Sequence, residues 1–102
     1  MKSSATSQDS ISAVDVFVSS ETLTVDLSDG RRLSVPLSWY PRLMQGTDGE
    51  RGDWKLRAHG SGIHWPQLDE DISVAGLIAG RRSNESESSL RRWMNGRDQR
   101  KD

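Results

Sequence analysis

A chain of 102 residues with 32% hydrophobic and 28% charged side chains leaves room for one domain that occupies less than the whole chain. The absence of cysteine excludes disulfides and thiolate metal sites, and no run approaches the ~20 apolar residues of a membrane span. The net charge of -1 is unevenly divided: residues 1–80 hold 7 Lys/Arg against 11 Asp/Glu (-4), residues 81–102 hold 7 against 4 (+3), so the body repels nucleic acid and any phosphate affinity belongs to the tail.

Residues 1–10 are nearly devoid of apolar side chains and are expected to be disordered. Three period-two segments follow, the signature of half-buried strands: Val14–Val18, Thr22–Leu27 and Arg32–Leu37. Asp29-Gly30 marks a hairpin between the last two. A two-residue loop would set Val25 against Ser34 and cross the faces. A three-residue loop, Ser28 to Gly30, sets Val25 against Leu33, Leu23 against Val35 and Asp26 against Arg32, with Gly30 at the left-handed position.

Ser38 is the expected cap of a helix with Pro41 in its first turn, turning Leu43 and Met44 to the sheet, and Gly46 ends it. Thr47 and Glu50 have capping-box spacing, which predicts another short turn. A second hairpin is expected from Trp54–Ala58 and Ile63–Trp65 around a loop from His59 to Gly62. That loop faces Leu56 to Trp65 and Arg57 to His64, with Trp54, Leu56, Ile63 and Trp65 inward. After Pro66, the acids Asp69, Glu70 and Asp71 favour the N-terminus of a helix capped by Ser73, carrying Val74, Leu77 and Ile78, and stopped by Gly80. Beyond Gly80 the serine- and glutamate-rich stretch reads as a linker, and Leu90, Trp93 and Met94 share one face of a transient helix.

The expected fold class is α+β, a small antiparallel sheet built from hairpins and packed with two or three short helices. Residues 1–10 form a disordered N-terminus, residues 11–80 the domain, and residues 81–102 a polar, basic, mostly disordered tail. A domain of about 70 residues lies near the lower limit for standing alone, so a partner is expected to supply part of its stability.

No arrangement of residues carries recognisable catalysis. His64 with Asp69 and Asp71 has only His59 as a second imidazole, too little for a transition-metal site, and no cofactor is expected. The 69–71 acids lack the spacing of a calcium loop, and Asp69 is expected to pair with Arg42. Trp54 and Trp65 are read as core, Trp39 and Tyr40 as partly exposed aromatics of the kind that anchor protein interfaces. Base stacking on these aromatics is disfavoured because no basic stripe accompanies them.

Two phrases then stand together: Val35-Pro36-Leu37-Ser38-Trp39-Tyr40-Pro41-Arg42-Leu43, and Gly62-Ile63-His64-Trp65-Pro66-Gln67-Leu68-Asp69-Glu70-Asp71-Ile72-Ser73-Val74. With the Asp29-Gly30-Arg31 turn, they resemble a bacterial family known as domain of unknown function 2442, over residues 12–80. The resemblance implies a small α+β domain without assigned catalytic residues. It also implies a gene often beside that of another short protein, in the manner of toxin–antitoxin pairs. Some members of that family carry an added helix-turn-helix domain. The 22 residues after Gly80 are too few for one, so that property does not transfer.

The resulting expectation is a cytoplasmic, non-enzymatic protein-interaction domain, antitoxin-like, whose partner is another small protein encoded nearby. Its contact residues would be Trp39, Tyr40, Arg42, His64, Asp69 and Asp71. The alternative is a nucleic-acid-associated regulatory accessory acting through its tail. Arg91, Arg92, Trp93 and Arg97 are the tail residues expected to touch nucleic acid or a partner.

Overall fold

The structure, a computed structural model, describes residues 11–101, and side chains as far as Arg97. The expected disorder of residues 1–10, and any role for the side chains of Arg100 and Lys101, lie outside the described residues. The fold is α+β, with two small sheets rather than one: each is antiparallel and three-stranded. The first comprises β1 (Ala13–Val18), β2 (Thr22–Leu27) and β3 (Arg32–Pro36), in that spatial order. A 3-10 turn at Leu37–Trp39 leads into α1 (Pro41–Met44) and α2 (Asp48–Gly52). The second sheet comprises β4 (Lys55–Arg57), β5 (Gly62–Trp65) and β6 (Glu70–Ser73), followed by α3 (Val74–Ile78) and α4 (Glu87–Lys101).

Hydrophobic alternation sets the first sheet. Val25 faces Leu33, Leu23 faces Val35 and Asp26 faces Arg32, as the three-residue loop requires. Gly30 takes φ +94°, a conformation that L side chains rarely adopt. The strand β1 pairs with β2 through a bulge at Val14, which lies 58% exposed. Asp15 Oδ1 accepts from the N–H of Val16 at 2.9 Å, so that edge-strand amide is spent on a neighbouring side chain.

Both sheets contribute to one core. Leu23, Val25, Leu27 and Val35 from the first meet Ile63, Trp65 and Ile72 from the second, with Leu37, Leu43, Leu68, Val74 and Leu77 filling the space between. Trp65 is fully buried, and its indole N–H donates to the carbonyl of Arg51 at 2.9 Å. Arg51 is itself buried, and its guanidinium donates to the carbonyls of Leu43 (2.8 Å) and Met44 (3.0 Å) at the end of α1. The Arg51 side chain thus serves the last carbonyls of α1, of which Leu43 also accepts from the Gly46 amide at 3.1 Å.

Several local expectations change. Ser38 caps nothing: Tyr40 precedes α1 and makes no side-chain cap, Pro41 alone favouring the first turn. Leu43 is buried, but Met44 is 41% exposed, since a single helical turn directs only one of two adjacent side chains inward. The Thr47–Glu50 capping box forms in full, and Ser73 accepts from the Gly76 amide as the cap of α3. The second hairpin pairs Leu56 with Ile63, Lys55 with His64 and Arg57 with Gly62, two residues from the expected register. Its turn runs through Ala58, His59 and Gly60, all at positive φ, so the strand stops at Arg57. Leu56 is consequently exposed in the middle of a three-residue edge strand.

The acidic run is not a helix approach. Glu70–Ser73 pairs with β5, placing Glu70 opposite Trp65 and Asp71 opposite His64. The tail, expected to be mostly disordered, carries α4 across residues 87–101, held to the body by the ion pairs described next. Among the described residues no helix is long and apolar enough to cross a membrane.

Candidate functional site

Polar groups concentrate where α1, β6, α3 and the segment leading to α4 meet. Arg42, on α1, is their hub. Its Nε and Nη2 donate to the two oxygens of Glu85 at 2.5 and 3.1 Å. Its Nη1 donates to the carbonyl of Asp69 at 2.8 Å and reaches Asp69 Oδ2 at 3.3 Å, the expected pairing. The Glu85 carboxylate is 8% exposed, and the hydrogen bond from Arg42 holds its pKa below the ordinary value. A bidentate, screened pair of this kind fixes geometry more firmly than a surface ion pair.

Trp93 packs against this hub. The guanidinium groups of Arg42 and Arg97 lie over its indole ring, 5.1 and 4.8 Å from its centroid. Arg97 also donates to both oxygens of Glu50, at 3.0 and 3.1 Å, and to the carbonyl of Gln67. These contacts clasp α4 to the body. The indole N–H of Trp93 is buried without a hydrogen-bond partner among the described residues.

Beside the hub lies a hollow of about 250 Å³ lined by residues of β6 from Glu70 to Ser73, Asp71 included, by Tyr40, Gly76 and Leu77, and on the other side by residues Arg81 to Asn84. Tyr40 is buried, not partly exposed: its ring joins the core, and its hydroxyl donates to the carbonyl of Arg81 at 3.0 Å. Trp39 remains half-buried, with Arg82 stacked 4.8 Å from its ring centroid. The strand register turns Glu70 to the face of Trp65 and Ile72. Burial, with Glu85, Asp71 and Asp69 nearby, raises its carboxyl to about 7 despite the opposing effect of Arg42.

The expected contact residues therefore divide. Arg42 is the hub and bonds Asp69, while Trp39 and Tyr40 meet the neighbouring wall at Arg82 and Arg81. His64 and Asp71 form a separate pair, with Nδ1 and Oδ1 2.7 Å apart, on adjacent strands of the second sheet. His64 stands opposite Lys55, not Arg57, because of the shifted hairpin. In the tail, Trp93 and Arg97 are engaged with the body, while Arg91 and Arg92 are exposed. Glu50, Glu70 and Glu85 were not among the expected contact residues. Strand alternation through Glu70 and Ile72 is the signal that could have exposed the first; Glu50 and Glu85 are reached only through contacts distant in sequence.

A family model described as "Protein of unknown function (DUF2442)" matches residues 13–83. No curated protein matches the chain. Among solved structures, a protein of unknown function from Rhodospirillum rubrum is similar, with 28% identity and a TM-score of 0.63, over 76% of this chain and 94% of that one. An uncharacterised protein from Chromobacterium violaceum has the same fold at 23% identity and a TM-score of 0.61, over 72% of this chain and 69% of its own.

Proposed function

Because the chain belongs to the DUF2442 family of proteins of unknown function, we propose that it is a protein-interaction module, the antitoxin-like member of a pair with another small protein encoded nearby. The observation that carries this reading is the edge strand β1. Within four residues it presents two large apolar side chains to solvent, Val14 at 58% and Phe17 at 47% exposure. Apolar side chains of that size on an edge are suited to the centre of a protein interface. The Asp15 carboxylate on the Val16 amide favours engagement through side chains over addition of a strand. Asp69 and Asp71, with side chains 77% and 71% exposed, add an acidic surface suited to a basic partner.

The test is co-expression of the full chain with the product of its neighbouring gene, followed by affinity purification and size-exclusion chromatography. A complex of fixed stoichiometry is the expected result. A chain that elutes unchanged beside that product would overturn the reading.

A second reading, nucleic-acid association through the tail, is favoured by one observation: Arg91 and Arg92 are exposed on α4. It loses force because Arg97 is spent on Glu50. A salt-dependent gel shift abolished by alanine at Arg91 and Arg92 supports it, and no binding at low salt removes it.

A further inference from the structure

The hollow between β6, α3 and residues 81–84 combines two carboxylic acids, Glu70 and Asp71, with two arginines and the apolar side chains of Ile72 and Leu77. Glu70 stands on the β6 side, Arg81 and Arg82 on the opposite wall, and Tyr40, Ile72 and Leu77 line the remainder. We propose that this hollow is a binding site for a free α-amino acid with an apolar side chain, its ammonium set against Glu70 and its carboxylate against Arg81 and Arg82. This goes beyond the interaction reading and does not depend on it.

Four features carry the proposal. First, the hollow is of small-metabolite size, about 250 Å³, below the span of drug-sized pockets. Second, its walls are held from behind. The Arg81 amide donates to the carbonyl of Gly76 at 2.9 Å, and the Arg81 carbonyl accepts from Tyr40, so the basic wall is fixed to α3 and the core. The Ser83 amide donates to the carbonyl of Trp39 at 3.1 Å, which anchors the far end of the same wall. Third, Glu70 lacks a dedicated counter-ion. Its nearest cation, Arg42, is committed to Glu85 and Asp69, and burial keeps its carboxyl close to half-protonated at neutral pH. An ammonium group would replace that proton at little cost. Fourth, Gly76 lets the Ser73 hydroxyl approach closely at the edge of the hollow: a Cβ there would come within 2.7 Å of Ser73 Oγ, which caps α3, and 4.0 Å of Arg81 Cδ.

The two charged walls together select against ligands that bear only one charge. The penalty for an unmatched charge falls mainly on the screened Glu70, while the exposed Arg81 and Arg82 add a weaker preference for a carboxylate. An apolar side chain would rest against Tyr40, Ile72 and Leu77.

The experiment is an NMR titration of the full ¹⁵N-labelled chain with three probes of similar shape: leucine, leucinamide, which lacks the carboxylate, and 4-methylpentanoate, which lacks the ammonium. Leucine is expected to shift the amides of Tyr40, Ile72, Gly76 and Ser83 saturably. It is also expected to lower the ionisation midpoint of Glu70. The two analogues are expected to bind at least about tenfold more weakly. Glu70→Gln should bring leucine down to the level of 4-methylpentanoate, and Arg81→Gln should bring it down towards leucinamide. The Arg81 side chain is exposed, so that variant keeps the test valid if the Glu70 variant folds poorly. Absence of shifts around the hollow, equal binding of all three probes, or undiminished binding in both variants would overturn the proposal. Each of those results leaves the co-purification test of the interaction reading standing.

Discussion

Arg51 brings a guanidinium into a buried position because acceptors meet it there: the carbonyls of Leu43 and Met44, and the exposed carboxylate of Asp48. The carbonyl of the same residue receives the Trp65 indole. Arg51→Met keeps the aliphatic stem but removes the donor of the Met44 carbonyl and one of the two donors of the Leu43 carbonyl, which keeps the Gly46 amide, so it is expected to cost about 1–3 kcal/mol in urea unfolding. Loss of Asp48 alone, at an exposed pair, is expected to cost under about 1 kcal/mol. Glu70 acts in the opposite direction. Its folded carboxyl titrates near 7 against an ordinary 4.5, so between those values the folded state binds the additional proton. The contribution of Glu70 to stability is therefore greatest below about pH 4.5 and falls as pH rises through 7. The fall is expected to be roughly 1–2 kcal/mol once partial exposure is discounted, and Glu70→Gln should flatten it in denaturation curves recorded from pH 5 to about 8. Phe17 is a third case. Its ring is half-exposed and touched by Arg32, 5.3 Å from the centroid. Phe17→Ser is expected to change stability by about 1 kcal/mol or less, yet weaken the partner complex at least about tenfold by calorimetry.

At the scale of elements, legibility followed how local the determinants are. The first hairpin was readable because five alternating pairs and one glycine point to a single register. The second was shifted because its turn uses left-handed Ala58 and His59, residues that do not announce that conformation. The strand β6 was hidden by its acids, which sit on an edge where both line the hollow, Asp71 exposed and Glu70 turned to the face of Trp65. The attachment of α4 was illegible, since it depends on Arg42–Glu85 and Arg97–Glu50, pairs separated by 43 and 47 positions. Those clasps are testable. Arg42→Ala removes the bidentate partner of Glu85 and one cation from the Trp93 ring. It is expected to raise amide exchange across residues 87–97 by about tenfold or more, corresponding to loss of a charged, screened pair. The β2 and β3 amides should retain their protection. Uniform acceleration throughout the chain would contradict a separately opening helix.

Across the whole molecule, the α+β class, the core stripe of the first sheet and the family resemblance were all readable from residues 12–80, and the family match covers 13–83. The candidate site was readable only in part. Arg42 and Asp69 pair as spacing and charge suggested, but Tyr40 serves the core, and His64 with Asp71 lies apart from the hub. The remainder escaped because the hollow is assembled from three elements and a connecting segment, none of which carries a local signature of the others. A small domain makes such assemblies by letting each polar residue serve several neighbours: Arg42 alone meets α4, the turn before β6 and the segment before α4.

The bond from the Val16 amide to Asp15 gives the first sheet a built-in stopper. An edge amide already bonded to a side chain is one donor fewer for a like strand to pair with. Strand addition centred on Val16 is therefore disfavoured, with Phe17 and Val14 still outward for a dissimilar surface. Stickiness at that border is thus divided between two kinds of chemistry, one silenced and one left audible.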